Sequence, residues 1–96
     1  MNQLKGMSSI EISAVITYLF RTLPEKDFVD RIVELLGLSI SNAVLLYYSL
    51  LGEDCYIHKM KDLDIFDFCE KVIMLFDVNT GIAEAIYYSL QNTNET

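Results

Sequence analysis

Asp27-Phe28-Val29-Asp30-Arg31-Ile32-Val33-Glu34-Leu35-Leu36-Gly37-Leu38-Ser39-Ile40-Ser41-Asn42-Ala43-Val44-Leu45-Leu46-Tyr47-Tyr48-Ser49-Leu50 returns, forty positions later, as residues 67–90. Asp27-Phe28 matches Asp67-Phe68, Leu35 matches Leu75, Ala43 matches Ala83, and Tyr47-Tyr48-Ser49-Leu50 matches Tyr87-Tyr88-Ser89-Leu90. Eight of the 24 aligned positions are identical, where chance supplies roughly one or two, so one structural unit is expected to be used twice. The substitutions between the copies are mild: Asp30/Glu70, Arg31/Lys71, Ile32/Val72, Val33/Ile73 and Leu38/Val78.

Each copy reads as two helices around a short break. In the first, Phe28, Val29, Ile32, Val33, Leu35 and Leu36 recur at helical spacing behind an outer stripe of Asp27, Asp30, Arg31 and Glu34. Pro24 suits the start of this helix, over residues 24–36, and Gly37 is a natural stop. Ser39 or Ser41 can cap the next helix, over residues 40–51, which leaves almost no polar face and must be covered on most sides. The second copy predicts helices over 63–76, from Asp62 or Asp64, and over 80–91, capped by Asn79 or Thr80. From Gln91 onward the chain is polar and is expected to fray.

Ahead of the repeat, Ser8 and Glu11 have capping-box spacing and open a helix that reaches about Leu23. Ile12, Val15, Ile16, Leu19 and Leu23 line one side of it. Its Ala14-x-x-x-Tyr18 echoes Ala43-x-x-x-Tyr47 and Ala83-x-x-x-Tyr87, as the surviving half of a third unit would. Residues 53–61, holding Cys55 and the only histidine, His58, read as a solvated polar linker. The expectation is one all-α domain over residues 1–96: a compact five-helix bundle of two repeated hairpins, about 24–51 and 63–91, plus the N-terminal helix.

Composition bounds what such a bundle can do. The 96 residues are 52% hydrophobic and carry six tyrosines, five phenylalanines and no tryptophan, enough to bury a core without metal or disulfide. No apolar run reaches the roughly 18 residues of a membrane span, and the first residues lack a signal core, so a cytoplasmic protein without membrane contact is expected. The net charge of −7 repels nucleic acid and favours cationic partners, within a screening length of about 8 Å at physiological salt. That acidity also keeps an apolar-rich chain dissolved.

Four chemistries can be weighed directly. The helix–glycine–helix outline of residues 28–43 resembles a helix-turn-helix, but its second helix offers Val44-Leu45-Leu46-Tyr47-Tyr48 where base edges call for arginine, lysine, asparagine or glutamine. Nucleic acid is therefore not expected as a partner. Cys55-x-x-His58 has metal-ligand spacing, followed by Asp62, Asp64 and Cys69, yet a second ligand pair is missing. Cys69 stands where the first copy has Val29, which marks it as a small core residue. Asp77-Val78-Asn79-Thr80-Gly81 fails as a calcium loop, because the glycine is one place early and position twelve would be Tyr88. One histidine, no nucleophile beside a base and no glycine-rich phosphate loop leave no catalytic set and no cofactor to expect.

Surface recognition remains. So small a domain is expected to hide its apolar helices incompletely, so a non-enzymatic interaction module that self-associates as a homodimer is the first reading. Its interface would comprise Tyr47, Tyr48, Leu51, Tyr87 and Tyr88, with Tyr18. The alternative is an acidic inhibitor, immunity or antitoxin-type protein that neutralises a basic enzyme or toxin through Asp27, Asp30, Glu34, Asp67 and Glu70. The pairs Asp27–Arg31 and Asp67–Lys71, one helical turn apart, are the plainer account of those acidic stripes.

Overall fold

The helix boundaries follow from local hydrogen bonding. In a computed structural model, which describes residues 6–52 and 56–93, α1 spans Ser9–Thr22. Ser8 Oγ accepts from the Glu11 N–H at 3.2 Å and Glu11 Oε1 accepts from the Ser8 N–H at 2.8 Å, which satisfies two otherwise orphaned donors. Pro24, unable to continue a helix, stands immediately ahead of α2, Glu25–Leu36. Gly37 takes the left-handed conformation, φ 74°, and closes α2 by donating its N–H to Val33 O. Ser39 then caps α3, Ile40–Leu51, by accepting from the Asn42 N–H at 3.1 Å.

The same device recurs at α5, Ile65–Phe76, and α6, Thr80–Thr93. Asp64 accepts from the Asp67 N–H at 2.9 Å, and Asn79 Oδ1 accepts from the Ile82 N–H at 2.9 Å. Where α2 ends on glycine, α5 ends on Asp77 at φ 57°, the only left-handed residue other than glycine among those described.

All regular structure among the described residues is helical, with six α-helices where the sequence predicts five. The addition is α4, Tyr56–Lys59, followed by a 3₁₀ turn over Met60–Asp62. Residues 57–61 are therefore not the solvated linker expected from their polarity. Ile57 and Met60 are buried in the core, and Gln91 Nε2 donates to Lys61 O at 2.9 Å, tying the turn to α6. Two apolar residues three apart are enough to anchor one helical turn, a pattern their charged neighbours conceal. Cys55 lies outside the described residues.

Burial sorts the helices into a single apolar cluster containing Ile16, Phe28, Ile32, Leu46, Phe68, Val72, Ile86 and Leu90. Cys69 joins it as a small buried residue, as its place opposite Val29 predicts. The radius of gyration, 11.9 Å, matches the roughly 12–13 Å of a compact chain of this length. The α2 and α3 axes turn through 119° at Gly37–Ser39. No single helix among the described residues is long and apolar enough to cross a membrane.

The inward face of α1 differs from expectation. Val15 and Leu23 are half-buried, while Ser13 and Thr17 are buried with Ile12, Ile16 and Leu19. The cause is α6, which runs beside α1 in the same direction. Ser9 Oγ donates to Glu84 Oε1 at 2.7 Å and, a turn further on, the Ser13 and Ser89 hydroxyls meet at 3.2 Å. The Ser89 hydroxyl also lies 2.8 Å from Ala85 O and 3.4 Å from Ser13 O, two carbonyls that can accept its proton. Serines at this contact let the helices approach more closely than leucines would. Ala14 is exposed, unlike the fully buried Ala43 and Ala83, so the alanine–tyrosine echo in α1 does not correspond to a shared packing role. The C-terminal end is also longer than expected: α6 runs past Gln91 to Thr93, whose hydroxyl donates to Ser89 O at 2.9 Å.

Candidate interaction surface

The tyrosines proposed from sequence as an interface form two ring pairs. Tyr47 is half-buried and lies 5.3 Å from Phe28 and 5.4 Å from Phe20, centroid to centroid. Tyr48 meets it edge to face at 5.5 Å, and its hydroxyl donates to Glu25 Oε1 at 2.7 Å. In the second pair, Tyr87 lies 5.3 Å from Phe68 and 5.7 Å from Tyr88. These geometries are favourable for aromatic packing, so the rings contribute to holding their own helices together. Tyr18 and Leu51 differ in kind, at 66% and 49% exposed. Tyr18 borders a shallow hollow with Ala14, Thr17, Arg21 and Asn92, and the Thr17 hydroxyl is buried there without a hydrogen-bond partner.

All five acidic residues singled out in the sequence, Asp27, Asp30, Glu34, Asp67 and Glu70, are exposed. Arg31 pairs with Glu34 rather than with Asp27, and Lys26 reaches Asp30 at 3.4 Å. Exposed pairs of this kind contribute about 0–1 kcal/mol each and leave the acidic character of the surface intact.

The structure adds residues that the sequence reading passed over. Phe66 and Met74 on α5 are 83% and 82% exposed. A signal for them was present: the aligned positions in the first copy are Lys26 and Glu34, so charge has been exchanged for large apolar side chains on the outer face of one helix only. Phe66 borders a groove between α5 and α6 of about 300 Å³, lined by Ile65, Cys69, Glu70, Ile73, Thr80 and Glu84. Cys69 and Ile73 supply its apolar wall, and Glu70 and Glu84 its carboxylates. Burial pushes the Cys69 thiol above its ordinary pKa, and the Glu84 charge adds to the effect, which disfavours the thiolate.

A second, more polar hollow of about 440 Å³ separates the end of α2 from the α5–α6 turn, between Glu34–Gly37 and Asp77–Asn79. No group of three His, Cys, Asp or Glu suited to a metal ion occurs among the described residues. Where the α2–α3 corner would face a DNA groove, the start of α3 turns Ser39, Ile40 and Ser41 outward, none of them cationic. No family model, curated protein or solved structure matches this chain.

Proposed function

We propose that this chain is a non-enzymatic protein–protein interaction module, built from one helix–turn–helix-shaped hairpin used twice. The duplication is supported by features forty residues apart: α2 and α5 have matching bounds, Phe28–Tyr47 and Phe68–Tyr87 stand at the same 5.3 Å, and Ala43/Ala83 and Ser49/Ser89 are buried alike. The module reading is carried by the outward display of Phe66 and Met74 on a chain of net charge −7. Large apolar side chains held in water gain free energy when a partner covers them.

Two partners divide the surface. A cationic protein, of the kind neutralised by acidic inhibitors, immunity proteins or antitoxins, is favoured by the groove that sets Glu70 and Glu84 around apolar side chains. A second copy of the chain is favoured by exposed Tyr18 and Leu51. A cytoplasmic setting suits both, since Cys69 is a free thiol.

Sedimentation at low and high salt separates the two. A species of twice 11.0 kDa that persists in salt and dissociates on Leu51→Glu supports the homodimer. A single-chain mass that retains basic proteins at low salt and releases them at high salt supports the acidic-inhibitor reading. A single-chain mass with no saturable binding of any basic protein overturns the module itself.

A further inference from the structure

Resting on the interaction-module reading, the chemistry of the α5–α6 groove says which partner segment it takes. Phe66, Glu70 and Ile73 follow at i, i+4 and i+7, so an exposed aromatic, a carboxylate and an aliphatic side chain share one face of α5. Across the groove α6 contributes Thr80 and Glu84. One Glu84 oxygen accepts the Ser9 hydroxyl, which holds that carboxylate at the groove. The volume of about 300 Å³ admits roughly one bulky apolar side chain, at the small end of binding pockets. Both charged groups lining the groove are negative.

That distribution selects among occupants. In a two-fold dimer formed through this face the same patch meets itself, so Glu70 and Asp67 of one protomer would confront the like charges of the other. A cationic segment reverses the sign of the encounter and gains from the net charge of −7 as it approaches. We propose that the α5–α6 groove is the docking site for a basic amphipathic helix of another protein, with an apolar anchor seated between Phe66 and Ile73 over Cys69 and lysine or arginine one turn away on Glu70 and Glu84. This is the helix-in-groove mode of recognition, with the carboxylates fixing register.

The first copy supplies the control. There the residue aligned with Phe66 is Lys26, and the most exposed apolar residue is Ile40 on α3. The experiment titrates the full chain with a synthetic leucine–lysine amphipathic helical peptide, followed by backbone amide resonances and by fluorescence anisotropy. Saturable binding that weakens with salt is expected, with shifts concentrated at Ile65, Phe66, Ile73 and Glu84. Phe66→Lys should weaken binding by roughly tenfold or more, as loss of a central aromatic anchor does. Ile40→Lys changes the charge equally and should stay within about twofold. Glu70→Gln should weaken binding by about threefold or more, and a glutamate-for-lysine peptide should not bind.

Equal losses for Phe66→Lys and Ile40→Lys, or shifts clustered elsewhere, overturn the groove assignment while leaving an interaction module standing. Self-association of the chain alone that shifts these same resonances makes a second copy the occupant and also overturns it. No binding together with a single-chain mass in sedimentation overturns both proposals.

Discussion

Individual residues at the helix ends do different amounts of work for the same job. Gly37 and Asp77 both occupy left-handed backbone after a twelve-residue helix, at φ 74° and 57°. Glycine takes that conformation freely, whereas an aspartate pays part of the roughly 1–2 kcal/mol that a Cβ costs there. A Cβ built on Gly37 meets nothing within 4 Å, so the penalty of Gly37→Ala is conformational alone. Chemical denaturation should show Gly37→Ala destabilised by about 1 kcal/mol and Asp77→Gly stabilised by up to about 1 kcal/mol. Gly37 was legible as a stop because glycine after an apolar run is a common helix end. Asp77 was harder to read, since aspartate reaches the left-handed region only where the surrounding turn demands it. Phe66 was missed at this scale too: a phenylalanine at the start of an amphipathic helix reads as core, and only its exposure shows that the other described residues leave it uncovered.

At the scale of elements, α1 and α4 mark the two extremes of legibility. The Ser8–Glu11 capping box is contained within four residues, and the structure forms it as the spacing predicts. Its hydrogen bonds favour the ionised carboxylate, holding the Glu11 pKa below its ordinary 4.5. The folded-state value is therefore the lower one, so this contribution to stability is complete above 4.5 and is lost as pH falls through the folded value. The gap in denaturation midpoint between the parent chain and Glu11→Gln should accordingly shrink as pH drops below 4.5. A gap unchanged by pH would mean that ionised Glu11 adds nothing to the cap. By contrast, α4 is held by distant packing. Ile57 is fully buried, and Ile57→Ala should cost about 2–5 kcal/mol in denaturant titration, against a few tenths for a side chain in a solvated linker.

For the whole molecule, charge and curvature act together. The α2–α3 corner of 119° falls within the roughly 90–120° of a helix-turn-helix, yet the net charge of the chain is −7. A random DNA duplex should therefore show no retardation by this chain in a low-salt gel shift, because phosphate binding needs cations to release. Clear retardation would overturn the protein-partner proposals. The sequence by itself determined that the chain is helical, where most helices begin and end, and that its surface is acidic, because caps, breaks and helical periodicity act within about four residues. Only the tertiary structure decided which faces are covered. Ser13 is buried because Ser89, 76 residues away, lies against it, and Phe66 is exposed because α6 meets α5 beside it without closing over it among the described residues. Burial depends on which distant segments arrive at a surface, and that follows from the packing of the whole chain rather than from any local stretch of it.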